Sequence, residues 1–328
     1  MSYQSILVIK PSSLGDIVHT LPAVAAIRDA NPEATITWVI NPEWAPLLRG
    51  NRDINHVHIF PRGEFRGLGA PRSLLPWIKK TRGLQPEAAV DFQGLLRSAF
   101  IGRISGARDF FGLSDAREGS RFFYKTIARV NRRSHAVERY LKLAETTGAT
   151  VTLPLRFSLP SGDPLPRFDP HPPFILLHPF ARGGGKSMND RAVEEFCRAC
   201  APTRVIVVGK SKLRLKTLPE NCIDLSNQTT LLQLIWLIRA ARVVVSVDSG
   251  PMHIAAALTS NLIALHTWSD PRRVGPYNAA AWIWRNGELR QMRDFAVGEK
   301  LPRGRRFRTA DVAPITQLVN ELWSAGNG

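Results

Sequence analysis

Two carboxylates and one lysine stand where an α/β chain presents chemistry. Asp16 lies in Pro11-Ser12-Ser13-Leu14-Gly15-Asp16-Ile17, directly beyond the apolar run Ser5–Ile9 and near the start of a helical pattern. A carboxylate there either caps a helix whose first N–H groups lack partners or accepts a proton from a substrate hydroxyl. The turn has one glycine where a dinucleotide fingerprint needs three, which argues against pyrophosphate binding at this point. Asp248 follows the β-rich Val243–Val247 and leads through Ser249-Gly250-Pro251 into Met252-His253-Ile254. Pro251 suits a first helical position, and Ser249 and Gly250 allow close backbone approach, so free N–H groups there form an anion site that fits a diphosphate. Asp248 is a second cap or an acceptor for sugar hydroxyls, and His253 is an extra donor or a buried structural histidine. Lys186 sits in Arg182-Gly183-Gly184-Gly185-Lys186-Ser187, after the strand pattern Phe174–Leu177. A P-loop requires glycine five residues before Gly185, and Phe180 stands there. What remains is a glycine-rich loop that either carries Lys186 and Arg182 to a phosphate or is merely solvated.

Other chemistry lacks its residues. No D-x-D, H-E-x-x-H or G-x-S-x-G occurs, so a metal-bridged diphosphate or a serine hydrolase has no visible equipment. No metal site and no cofactor are expected. Cys197, Cys200 and Cys222 are sparse and odd in number, which suits buried thiols in a reducing compartment better than a disulfide framework. The 328 residues carry 44 Lys plus Arg against 27 Asp plus Glu, a net charge of +17 that attracts polyanions. The excess gathers at Arg62, Arg66, Arg72, Lys79, Lys80 and Arg82, and again at Arg117, Arg121, Lys125, Arg129, Arg132 and Arg133. These arginines either grip an anionic acceptor bidentately or are solvated. They are not interleaved with stacking aromatics, so nucleic acid is not the expected partner. The amino terminus offers no signal-peptide core and no apolar stretch reaches membrane-spanning length, so a cytoplasmic protein is expected; a basic surface still allows contact with an acidic membrane face.

The elements that must position these residues alternate as β-α units. Strand patterns fall at Ser5–Ile9, Thr35–Ile40, His56–Phe60, Ala88–Asp91 and Asp109–Gly112, with helices at Asp16–Asp29, Arg72–Arg82, Leu95–Ile104 and Ala136–Thr147. Ser158–Pro173 is proline-rich and holds neither helix nor central strand. Alternation then resumes with strands at Phe174–Leu177, Arg204–Val208, Ile223–Leu225, Val243–Val247 and Leu262–His266, and helices at Arg191–Cys200, Leu231–Arg239 and Met252–Leu258. A basic stretch ending in Arg303-Gly304-Arg305-Arg306-Phe307-Arg308 precedes a last helix from Asp311 to Trp323. The expected fold is α/β: two Rossmann-like α/β/α domains, residues 1–160 and 174–310, a linker at 161–173, and a ligand in the interdomain cleft at the strands' carboxyl ends.

At these residues the sequence resembles the bacterial heptosyltransferases of glycosyltransferase family 9, along almost the whole chain. Four motifs match in order: Pro11–Pro22, Asp91-Phe92-Gln93-Gly94-Leu95-Leu96-Arg97-Ser98-Ala99, Ser134-His135-Ala136-Val137-Glu138-Arg139 and Val245–His253. The resemblance implies a GT-B fold, with residues 311–328 returning to the amino-terminal domain. It implies an inverting, metal-independent transfer of heptose from an ADP-sugar, ADP-L-glycero-D-manno-heptose, to the inner core of lipopolysaccharide. By it Asp16 is the catalytic base and Lys186 contacts the donor phosphates. Asp248, Ser249, Gly250, Met252, His253 and Arg182 hold the nucleotide-sugar; Ser13, Gly15, Gln93, Arg62, Arg66, Arg117 and Arg121 face the acidic Kdo and phosphate groups of a lipid A-linked acceptor. A monomer in peripheral contact with the inner membrane is expected. The chain departs from the family at Met188, where a Trp is usual. It also departs at Lys210-Ser211-Lys212-Leu213-Arg214, where a Glu is common, and at Thr267-Trp268-Ser269-Asp270-Pro271, in place of Gly-Pro-Thr-Asp-Pro. From the residues alone, a P-loop-type NTPase using Gly183–Ser187 with Asp248, and a polyanion-binding protein, are the alternatives.

Overall fold

The computed structural model describes residues 2–65, 70–211, 218–296 and 298–325. The chain divides into two compact units, Met1–Pro160 and Ser161–Gly328. The first contains β1 (Ser5–Ile9), α1 (Leu14–Ala30), β2 (Thr35–Ile40), β3 (His56–Ile59), α2 (Ala70–Arg82), β4 (Ala88–Asp91), α3 (Leu96–Ile104), β5 (Asp109–Leu113), β6 (Thr126–Ala128) and α4 (Ala136–Glu145). Its strands run in the order β3-β2-β1-β4-β5-β6, every neighbouring pair parallel. This is the doubly wound order whose direction reverses between β1 and β4, and loops beyond the carboxyl ends of those two strands form the crevice where such sheets take ligands. Leu7, Ile9 and Ala89 supply apolar side chains to a core shared with Phe60, Trp77 and Phe110, as parallel strands buried on both faces require.

The second unit contains β7 (Phe174–His178), α5 (Asp190–Ala199), β8 (Arg204–Val207), β9 (Cys222–Asp224), α6 (Leu231–Ala240), β10 (Val243–Val247), α7 (Gly250–Leu258), β11 (Leu262–Leu265), α8 (Pro271–Val274), β12 (Trp282–Arg285), β13 (Glu288–Gln291) and α9 (Val312–Ala325). Its order is β13-β12-β11-β10-β7-β8-β9, parallel except for the β12–β13 pair. The winding repeats that of the first unit, and its reversal lies between β7 and β10. Two Rossmann-like α/β units in one chain are the GT-B plan.

The proline-rich segment is not a loose tether. The Asp163 N–H donates to Leu232 O at 3.1 Å, and a Cβ at Gly162, where φ is +87°, would stand 2.5 Å from Trp236 N. Phe168 packs edge-on against Phe174 and Trp236. The segment is thereby laid along α6 of the second unit. The closing helix packs within the second unit: Val312, Ile315, Leu318 and Val319 are buried in that unit's core, with α9 against α5 and β10. Their spacing makes one apolar stripe, and that stripe is already covered. Cys197 and Cys200 are buried in the same core, where burial pushes the Cys200 thiol up to about 12; Cys197 Sγ lies 3.3 Å from Cys222 Sγ. Among the described residues no helix is long and apolar enough to cross a membrane.

Candidate functional site

In the first unit the site grows from the end of β1. Ser13 is the N-cap of α1, its Oγ donating to Asp16 Oδ2 at 2.7 Å and its N–H to the same oxygen at 3.2 Å. The capping role read from the sequence is therefore real, and it holds Asp16, half-buried, at the crevice end of β1. Ser12 N–H donates to Gln93 Oε1 at 3.3 Å, which ties this turn to the turn after β4. Asp91 organises that second turn: it accepts from the Gln93 and Gly94 N–H groups, from Ser98 Oγ at 2.7 Å and from Tyr124 Oη at 2.8 Å. Burial raises the Asp91 pKa in spite of those four donors. Gly94 O in turn accepts from the Arg117 N–H at 2.8 Å. One hydrogen-bonded run thus brings Ser13, Asp16, Gln93 and Arg117 together. Gly15 is buried in the helix start. Arg62 is exposed beyond β3, two strands away, and Arg121 is exposed on a short turn before β6; Arg66 lies outside the described residues.

The residue missed in the sequence is Lys10. It is 2% exposed, and its Nζ donates to Phe92 O and Tyr140 Oη, each at 2.9 Å. Burial works against its charge, and is outweighed by Tyr140, Asp16 and Asp91, so its pKa is raised. A cation so enclosed is costly unless it serves a local negative charge, and here it joins the β1 turn, the β4 turn and α4. His135 caps α4, its Nδ1 accepting from Val137 N–H, and its ring meets that of His19 on α1 edge-on at 5.0 Å. The signal was a lone lysine closing the apolar run Ile6-Leu7-Val8-Ile9.

The second unit's site lies at its own strand-order reversal. Lys186 Nζ, from the loop after β7, donates to Asp248 Oδ2, beyond β10, at 2.7 Å. Ser269 Oγ donates to the same oxygen at 2.5 Å and meets His266 Nδ1 at 3.0 Å. Burial alone would raise the Asp248 carboxyl; His266, Lys186 and Ser269 outweigh it and hold the pKa at about 2. Ser249 caps α7, with Pro251 in the first turn, and its Oγ lies 3.3 Å from His178 Nδ1. Gly250 is half-buried and His253 is buried in that first turn, while Arg182 is exposed on the glycine-rich loop. Met252, in the same turn, is fully buried, and its N–H donates to Ser249 O. Sequence reasoning also missed His178, His266 and Ser269, polar residues lodged in otherwise apolar surroundings.

Burial lowers the pKa values of His58, His178 and His266 to about 4. An unfolded histidine titrates near 6.5, so between those values the unfolded chain binds more protons and stability falls with pH. Each group contributes up to about 1.4 kcal/mol per pH unit in that window. Urea unfolding from pH 7 to pH 4.5 is expected to show a steep loss of stability; a flat profile would refute the neutral buried imidazoles.

A sequence profile of glycosyltransferase family 9 (heptosyltransferase) matches residues 77–303. The chain belongs to glycosyltransferase family 9. It is 25% identical over 294 residues to the lipopolysaccharide core heptosyltransferase OpsX of Haemophilus influenzae, covering 84% of this chain and 82% of that one. It is 26% identical to lipopolysaccharide heptosyltransferase 1 of Escherichia coli K12, covering 90% and 98%. In fold it matches the E. coli ADP-heptose LPS heptosyltransferase II with a TM-score of 0.76 at 21% identity, covering 99% and 100% of the two chains. The same score relates it to the E. coli heptosyltransferase WaaC with ADP, at 19% identity over 97% and 99%. Membership makes the chain a glycosyltransferase and sets aside the P-loop NTPase. The loop agrees: α5 starts at Asp190 under an Asn189 cap, not at Lys186-Ser187, and Ser187 Oγ accepts from the Ala181 N–H. Of the departures from family 9, Met188 is 2% exposed and belongs to the second unit's core. Lys210 is exposed at the end of β8, and residues 212–217 lie outside the described residues. Ser269 stands where the family has Thr and keeps the hydroxyl that Asp248 uses.

Proposed function

We propose that this family 9 enzyme transfers heptose from an ADP-sugar to the inner core of lipopolysaccharide, with inversion and without a metal ion. The observation that carries the reading is the Lys186–Asp248 pair at the strand-order reversal of the second unit, next to the amino-terminal turn of α7. Lys186 exchanges Asp248 for the donor's phosphates, and Asp248, released, accepts from the sugar hydroxyls. The N–H groups of α7 and the cation receive the charge that develops on the departing diphosphate. Asp16 takes the proton of the acceptor hydroxyl as its oxygen attacks the anomeric carbon from the side opposite the leaving ADP. Single-step attack from that side inverts the centre. Gln93, Arg117 and the remaining first-unit arginines meet the acidic groups of the acceptor. The relatives' names supply the substrates, and the enzyme works on them as a monomer resting on the cytoplasmic face of the inner membrane.

A thermal-shift panel of ADP-, UDP-, GDP- and dTDP-sugars in EDTA tests the donor assignment. A ligand about a hundredfold above its Kd stabilises by about 2.7 kcal/mol, so ADP-heptose is expected to raise Tm with the chelator present. A rise only with another nucleotide, or only with added Mg²⁺, would overturn the reading.

A further inference from the structure

The basic segment before α9 is held rigidly. A Cβ at Gly304 would stand 1.6 Å from Thr267 O, so only glycine allows this approach to the turn after β11. Arg285 Nη2 donates to Pro302 O at 3.0 Å, Asn286 Nδ2 to Arg303 O at 3.1 Å, and the Arg305 N–H to Asn286 Oδ1 at 2.9 Å. Arg305 forms a two-pronged pair with Asp311 at 2.7 and 2.6 Å. Its neighbours are treated differently. Arg303, Arg306 and Arg308 are exposed, and among the described residues none pairs with a carboxylate. With Asn189, Trp268 and Thr309 they line a cavity of about 610 Å³, a size common for small-molecule sites. Trp268 is 42% exposed, so its indole is open to a ligand.

The cavity adjoins the site around Lys186. A Cβ at Gly185 would meet Arg306 Nε at 2.9 Å and Trp268 Nε1 at 3.3 Å, and Ser269, next to Trp268, is hydrogen-bonded to Asp248. Three like charges on a fixed backbone repel one another and gain most from an anion placed among them. The indole N–H adds a neutral donor. We propose that Trp268 with Arg303, Arg306 and Arg308 forms an oxyanion subsite, taking a phosphate or carboxylate of a substrate beside the Lys186–Asp248 site. Which substrate supplies the oxyanion, the donor diphosphate or an acidic group of the acceptor, rests on the functional reading above; the subsite itself does not.

The test titrates the full chain and its R306Q/R308Q variant by calorimetry with three probes: inorganic pyrophosphate, ADP, and a deacylated phosphorylated inner-core oligosaccharide. Neither residue belongs to the reacting machinery, and both side chains are exposed, so folding is expected to survive. Loss of two charge-assisted contacts is expected to weaken pyrophosphate by about tenfold or more, and either ADP or the oligosaccharide with it. Weakened ADP assigns the subsite to the donor; a weakened oligosaccharide assigns it to the acceptor. Trp268→Ala, which keeps all the charges, is expected to weaken the same probe. Equal affinities of wild type and R306Q/R308Q for all three probes would overturn the subsite even if heptose transfer is confirmed. A pyrophosphate difference in a protein that ignores every ADP-sugar would leave the subsite standing and remove the heptosyl reading.

Discussion

Asp16→Ala is expected to lower turnover by about 10²- to 10⁴-fold, the range associated with removing a positioned general base. The same change removes the partner of both Ser13 hydrogen bonds at the start of α1, a cap typically worth about 1 kcal/mol. The two consequences separate cleanly. Asp16→Asn keeps an acceptor oxygen for Ser13 and cannot take up a proton, so it should hold most of the cap and none of the rate. Steady-state kinetics beside urea unfolding checks this. A variant whose loss of activity only parallels its loss of stability would assign Asp16 to capping alone.

Lys186→Ala is expected to have the second large effect. Loss of one preorganised donor to a developing charge commonly costs about 10²- to 10³-fold in kcat, and here a full cation is withdrawn from the departing diphosphate. The variant also leaves Asp248, 8% exposed, held by the Ser269 hydroxyl without the lysine, a stability loss of about 1–3 kcal/mol. Lys186→Arg restores the charge and the pair with Asp248, so it should recover stability and part of kcat. Full activity in Lys186→Ala would remove the donor-phosphate role.

Much of this was legible in the sequence, for reasons tied to particular residues. Parallel strands buried on both faces are runs such as Ser5–Ile9 and Val243–Val247, and their ends give away the loops that follow. Asp16, Lys186 and Asp248 could be singled out as candidates because they lie in those loops, and the structure places them there. The hairpin β12–β13 was missed although Asn286-Gly287 announces it: φ is 58° at Asn286 and 96° at Gly287, the left-handed pair that a tight hairpin turn demands. The strands beside that turn, Trp282-Ile283-Trp284-Arg285 and Glu288-Leu289-Arg290-Gln291, lack the clean apolar run of the others. Lys10 shows the limit of such reading: its importance lies in partners far along the chain, Phe92 and Tyr140, which no local spacing reveals.

The most direct measurement combines ADP-heptose with a heptose-free core acceptor in EDTA, and analyses the product by mass spectrometry and by NMR of the new anomeric centre. Wild type should add one heptose with the donor configuration inverted, and Asp16→Asn should add almost none. Product of retained configuration, or near-normal yield from Asp16→Asn, would contradict the account.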